Sequence, residues 1–404
     1  MKQPEIRFKG FEGKWVRNKL GNLSLSFSGG TPSAGNSDYY GGVIPFIRSG
    51  EIHKDKTELF LTEKGLLSSS AKIVEKDTLI YALYGATSGE VDISKIRGAI
   101  NQAILAIFPT KEIDKYYLNY LLQGKKTQIV GSLIQGGQGN LSGTLLKNYE
   151  IKYPEKIKEQ QAIAEYFKSL DSLIQTTTKK IASLKQMKSA CLVSMFPQEG
   201  ETKPRVRFIG FEGEWKKMKL GSFASRITRK NTKLESTLPL TISAAEGLIE
   251  QTAFFNNVVA SSNVSGYYLI KNGEFAYNKS YSNGYPFGAV KRLDKYDMGV
   301  LSTLYIVFSV DESVCSDYIV HFFDTTLWHQ EVAKRAAEGA RNHGLLNISA
   351  EDFLDIDIVL PNVVEEQQKI ASFFSSLDAQ ISLHSQRLEK LKQIKSACLD
   401  KMFV

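Results

Sequence analysis

Two stretches of the chain place a seam residue at alternating steps of four and three. The first runs Ile163, Phe167, Leu170, Ile174, Thr177, Ile181, Leu184, Lys188, Cys191 and Met195. The second runs Ile370, Phe374, Leu377, Ile381, His384, Leu388, Leu391, Lys395, Cys398 and Met402. That spacing is a heptad seam along one helix face. Both series are broken by polar residues at the same two places, Thr177 and Lys188 in one, His384 and Lys395 in the other. No Pro or Gly interrupts residues 155–196 or 362–404, so each stretch predicts one long helix of about 60 Å. Tyr153-Pro154 and Leu360-Pro361 stand before them as start signals. Elsewhere the pattern shortens. Residues 78–81, 103–108 and 303–308 read as strands, and residues 113–122 and 316–335 as helices. Each such region predicts a compact α+β module.

The chain repeats itself. Residues 4–21 and 204–221 are identical at 11 of 18 positions. Residues 159–196 and 366–403, at an offset of 207, are identical at 20 of 38. Between these constant parts lie residues 22–149 and 222–356, which hardly match. The predicted order is a first module at 1–153, a central helix at 154–203, a second module at 204–360 and a C-terminal helix at 361–404. Two long helices with matching seams should pack together. Duplication leaves parallel and antiparallel packing open. Antiparallel packing is favoured, because it relates the halves by a pseudo-two-fold axis and gives a tandem repeat with a module at each end of an antiparallel coiled coil.

The total of 404 residues, 42% of them apolar, leaves ample material for real cores. Three cysteines exclude a disulfide framework, and Cys191 and Cys398 sit on the seam as small reduced residues. His384, also on the seam, reads as a tolerated polar interruption. No apolar run is long enough for a membrane span, and the start MKQPEIRFKG lacks the apolar centre of a secretory leader. A reducing cytoplasm is expected. The net charge of +8 makes a polyanionic partner plausible. However, the second module carries net negative charge, so local placement of cations has to carry any argument for binding DNA there.

The module loops are rich in Gly, Ser, Thr, Asn, Gln and Tyr, which offer donors and acceptors to base edges. Candidate DNA-binding residues are Tyr81, Tyr84, Thr87, Ser88, Gln135 and Gln138 in the first module. In the second they are Arg226, Arg229, Lys230, Asn231, Lys279, Tyr281, Arg341 and Asn342. On the constant helices, polar residues repeat as well as apolar ones. Gln160, Gln161, Asp171 and Lys185 recur as Gln367, Gln368, Asp378 and Lys392. A solvated face should drift between copies, so these are candidate partner-binding residues, one dock per helix.

Catalytic patterns are missing. There is no phosphate-binding loop with its lysine, no Gly-x-Ser-x-Gly elbow, no His-Glu-x-x-His pair and no Asp/Asn-Pro-Pro-aromatic methylation tetrapeptide. The expected role is therefore binding and positioning, with no catalytic residue and no metal site in this chain.

The repeated EQQxIAxxF…SLD…LKQxKSACLxxMF helices, with the RFxGFEGxW…KLG edges, resemble the specificity subunits of type I restriction-modification systems. The resemblance implies two α+β target-recognition domains joined by the long helices, each reading one half of a bipartite site in double-stranded DNA. It implies that the helices set the spacing and dock two methyltransferase subunits, and that restriction and translocase subunits join that core. S-adenosylmethionine is then expected on the methyltransferase partner, and ATP with Mg on the translocase. None of these is expected on this chain. A coiled-coil scaffold that binds protein partners without DNA specificity is the alternative.

Overall fold

The computed structural model describes residues 4–133, 141–243, 247–255, 263–280, 284–336 and 346–404. They form two compact units, residues 1–179 with 385–404 and residues 180–384. The two long helices are present as Ile157–Met195 and Val364–Lys401, and each contributes one part to each unit. Compactness therefore groups the chain differently from a simple series of modules and spacers. None of the twenty seam residues is exposed, as the heptad pattern requires. No helix among the described residues is long and apolar enough to cross a membrane.

The first unit is built on a four-stranded antiparallel sheet. Its order is Ser24–Ser28, Ile104–Pro109, Leu79–Ala82 and Val91–Ile93. A second sheet pairs Tyr40–Ile47 with Phe60–Leu61 and, in parallel, with Gly98–Ile100, which also pairs with Lys72–Val74. A two-stranded ribbon joins Trp15–Lys19 to Glu150–Pro154. Asp114 starts the helix Lys115–Gly124 by accepting hydrogen bonds from the amides of Tyr116 and Tyr117. The core collects Trp15, Tyr117, Leu121, Phe167 and Phe403, so both long helices are part of it.

The second unit repeats this frame. Ala224–Ile227, Ile306–Val310, Phe275–Asn278 and Ala289–Arg292 form the matching sheet, and Lys216–Lys219 with Asp357–Leu360 the matching ribbon. The other strands differ. Here Leu240–Ser243 pairs with Gly247–Glu250, and Tyr268–Lys271 pairs with Met298–Leu301. The single helix expected over residues 316–335 is two helices, Ser316–Phe322 and Leu327–Arg335. The break falls at Asp324, whose carboxylate is drawn to Lys188 and Lys291.

Within each unit the two helix segments run antiparallel. Phe167 stacks on Phe403 at 5.7 Å while Asp171 meets Lys395, so one number rises as the other falls. In the second unit Phe196 lies 5.9 Å from Phe374 and Lys188 meets Asp378. These are the same pairs under the 207-residue offset.

A third shared joint fixes the foot of each helix. Arg7 grips Glu159 through two nitrogens at 2.7 and 2.8 Å, and Arg207 grips Glu366 at 2.6 and 2.8 Å. Glu159 is 1% exposed and Glu366 0%, so neither carboxylate has water to replace its partner. The same guanidinium groups donate to the carbonyls of Gly13 and Gly213, closing the edge loop over the helix. Removing one partner of a buried pair strands the other charge. Arg207→Ala should therefore cost about 3–5 kcal/mol, read as a fall in the denaturation midpoint of the second unit's near-ultraviolet signal. Arg205→Ala, whose side chain is mostly exposed and paired with Glu201, should leave that midpoint nearly unchanged.

Candidate nucleic-acid interface

The loops singled out at residues 81–89 and 278–285 occupy equivalent places. Each joins the third and fourth strands of the shared sheet, where Tyr81 faces Val91 in one unit and Tyr277 faces Val290 in the other. Two residues before each valine stands a glycine with positive φ, Gly89 at +84° and Gly288 at +77°. A side chain there would be strained and would also clash, at 2.6 Å from Val130 and 2.0 Å from the Asn278 carbonyl. The glycine thus holds the same backbone position in both units while the residues around it differ.

Within the first hairpin, Ser88 donates from its hydroxyl to the Leu83 carbonyl and from its amide to Gly85. Tyr84, Thr87 and Ser88 are half-buried around this turn. Tyr81 is not available to read DNA. It is wholly buried in the sheet, its hydroxyl has no hydrogen-bond partner among the described residues, and burial pushes that hydroxyl well above the usual phenol range. Its strand, Leu79–Ala82, is buried at every position, so a side chain there has no route to DNA. Gln135, Gln138, Tyr281, Arg341 and Asn342 lie outside the described residues.

The candidate cations of the second module that fall among the described residues are already engaged. Arg226 pairs with Glu351 at 2.8 Å and Arg229 with Glu274 at 2.6 Å. Lys230 is exposed, donates to the Gly266 carbonyl and lies 4.2 Å from the Tyr268 ring centroid. Lys279 donates to the Ile348 carbonyl, and burial lowers its ammonium. Asn231 is a correction. It is 1% exposed, and its amide ties the Ser236 and Val264 carbonyls together inside a turn.

Two of the eight partner-binding candidates, Gln160 and Gln367, are also corrected, and two more, Asp171 and Asp378, are partly exposed but hold internal partners. Gln160 accepts from the Asp114 amide and donates to the Pro154 carbonyl, and Gln367 does the same for Cys315 and Pro361. Both are buried. Asp171 pairs with Lys395 and accepts from the Tyr120 hydroxyl. Asp378 pairs with Lys188. The repeat of these polar residues is thus demanded by internal joints. Gln161, Gln368, Lys185 and Lys392 are exposed, and Lys392 is spanned by Glu389 at 2.8 Å.

The second unit gathers His321, Asp324 and Asp378 with ligating atoms within 4.8 Å of one another. The Lys188 ammonium lies 2.9 Å from Asp324 and 2.7 Å from Asp378, and Lys291 lies 2.9 Å from Asp324. Those ammonium groups supply the positive charge that the carboxylates require. Burial alone would raise the Asp324 carboxyl, but His321, 3.7 Å away, and the two lysines outweigh it and hold it far below the usual carboxylate range. Sequence spacing missed this cluster and a polar cleft of about 700 Å³ in the first unit, lined by His53, Glu90, Asp92 and Tyr120 among others. The one available signal was Glu90-x-Asp92, which puts two carboxylates on one strand face.

A sequence profile of the family described as the Type I restriction modification DNA specificity domain matches residues 12–186 and again 212–393. The chain is 32% identical over 174 residues to the Type I restriction enzyme MjaIX specificity subunit of Methanocaldococcus jannaschii, covering 41% of this chain and 40% of that one. It is 25% identical over 187 residues to the HindI specificity subunit of Haemophilus influenzae, covering 43% and 39%. The match thus spans about two fifths of the length of these relatives. Among solved structures, the type I restriction-modification S subunit from M. genitalium shares the fold over 100% of this chain and 99% of its own, with a TM-score of 0.65 at 14% identity. A structure from a study of complex assembly and conformational transition of the type I R-M system aligns over 96% of this chain and 97% of its own, with a TM-score of 0.53 at 13% identity.

The internal role of Asp171 has a direct check. Asp171→Lys should lower the stability of the first unit, and the double exchange Asp171→Lys with Lys395→Asp should restore most of the loss, measured by chemical denaturation. Lys185→Glu should leave stability unchanged.

Proposed function

The chain belongs to the type I restriction modification DNA specificity family, and from that premise we propose that it is the non-catalytic specificity subunit of a type I restriction-modification complex. Each module reads one half of a bipartite site in double-stranded DNA. The observation that carries this reading is a constant frame with divergent loops. The four-stranded sheet, the edge ribbon and the glycine of the hairpin turn recur in both units. The residues displayed around them do not. Two such modules suit one task performed on two different targets.

Base reading needs exposed donors and acceptors held by a rigid frame. The proposed readers are Tyr84, Thr87, Ser88, Gln135 and Gln138 in the first module, and Tyr281, Arg341 and Asn342 with Lys279 in the second. Arg226, Arg229 and Lys230 suit phosphate contact, where a cation can exchange a carboxylate or carbonyl for a phosphate oxygen. Tyr81 and Asn231 are withdrawn as readers because each is buried.

The long helices set the gap between half-sites and dock two methyltransferase subunits, one on each helix. The exposed twins Gln161 with Gln368 and Lys185 with Lys392 support that docking. Ser169 with Ser376 and Gln186 with Gln393 are further exposed twins. Chemistry is left to the partners. S-adenosylmethionine belongs to the methyltransferase, and ATP with Mg to the restriction and translocase subunits.

Methylome sequencing of cells that express the chain with its methyltransferase partner tests the reading. The expected result is a two-part motif with an unread gap, and exchange of residues 22–149 for another module should change one half only. A continuous motif, or a change in both halves, would overturn it. Native mass spectrometry should find two methyltransferase subunits per chain, and Lys185→Glu should weaken the docking of one of them.

A further inference from the structure

His53 touches a carboxylate with each ring nitrogen. Nδ1 lies 2.9 Å from Asp92 and Nε2 lies 3.0 Å from Glu90. A neutral imidazole has one N–H, so it can donate to only one of these acceptors. The other nitrogen would then aim a lone pair at a carboxylate. Both contacts are hydrogen bonds only when the ring is an imidazolium. The arrangement therefore selects the charged form by geometry.

Glu90 and Asp92 end the first module's hairpin loop and begin its returning strand. Glu90 closes the turn, because its amide donates to Thr87 and its carbonyl accepts from Ala82. His53 stands elsewhere in the chain, just after the turn Ser49–Glu51. It thus ties the hairpin to a separate part of the module. We infer that His53 is a positioning residue whose protonated ring latches the hairpin loop of residues 83–90, holding it in one place while the ring is charged and releasing it when the ring is neutral.

The charges around the ring agree with this. Lys95 donates to the His53 carbonyl and lies 3.7 Å from Asp92, and Lys126 pairs with Glu90. Across the cleft stand Tyr120, Lys168, and Asp171 with Lys395. Asp171 and Lys395 offset each other. The two carboxylates are therefore the charges in direct contact with the ring. The Asp92 hydrogen bond raises the ring's basicity above the usual imidazole value, burial opposes it, and Glu90 adds to it. A raised value means the contribution is fully present below about pH 6.5 and is lost as pH rises through the higher folded-state value.

The second unit supplies an internal control. By sheet register, Lys291 takes the place of Asp92 and Ala289 that of Glu90. Lys291 pairs with Asp324, and among the described residues no imidazole meets a carboxylate carried by that hairpin itself.

Hydrogen exchange on the full chain, wild type against His53→Gln at each pH, tests the latch. Comparing the two at equal pH cancels the intrinsic pH dependence of exchange. Near pH 6 the hairpin of residues 83–90 should exchange about fivefold more slowly in the wild type, the ratio that one net hydrogen bond gives. The difference should vanish toward about pH 9, and the second hairpin should show none at any pH. A difference that does not change with pH would make His53 a plain structural contact and overturn the latch. So would a His53 ring that titrates below about 6.5 by NMR. The consequence for DNA reading rests on the proposed function and is separable. Methylation at the first half-site should lose sequence discrimination as pH rises while the second half-site holds. An intact latch with pH-independent discrimination would overturn the hairpin as a reader and leave the latch standing.

Discussion

A carboxylate buried at the first turn of each long helix has to be neutralised where it stands. Glu159 and Glu366 have almost no exposed surface, and desolvating a charge without a partner costs several kcal/mol. Arg7 and Arg207 meet that demand from the edge segment that begins each repeat. One constraint therefore ties four things together: the edge loop, the ribbon strand that follows it, the strand that returns from the module, and the foot of the helix. The edge and helix sequences recur together because each half of the pair is useless without the other.

Once that joint is set, the rest of the frame follows. The returning strand delivers Pro154 or Pro361, whose carbonyl receives the side-chain amide of Gln160 or Gln367. The same glutamine accepts from the residue that opens the module's helical segment, Asp114 or Cys315. Farther along, the seam's polar break is a joint of its own, Lys395 to Asp171 and Lys188 to Asp378. In the second unit the break recruits Lys291, His321 and Asp324. In the first unit the equivalent region holds Tyr120 and an open cleft beside it. The frame is common to both units, and the modules fill its surroundings differently.

This frame also explains why polar repetition misleads. Gln160, Asp171 and their twins looked like a surface kept for a partner, because a helix face free in water has no reason to repeat. Their side chains are instead bound inside each unit. Gln161 and Lys185, one position from a bound glutamine and one turn from the seam's Lys188, remain exposed in both copies. Sequence repetition cannot separate these two cases; burial of the glutamines and the internal ion pairs of the aspartates do.

The sequence alone determined the two long helices, since a heptad seam free of Pro and Gly has no other way to bury its apolar stripe. It determined the tandem plan and the divergence of the modules, and the family resemblance was legible in the repeated helix and edge motifs. The equivalence of the two hairpins was only partly legible. Their glycines are visible, but not the shared strand register that gives Gly89 and Gly288 the same task. Tertiary structure decided which polar side chains face inward, as with Tyr81, Asn231 and Gln160. It also decided that the stretch 316–335 breaks at Asp324. These are contacts between residues far apart in the chain, such as Lys188 with Asp324 and His53 with Glu90 and Asp92. Local propensity and periodicity describe a residue's own element. They carry no information on which distant charge will arrive to neutralise it, and that is settled only when the chain has folded.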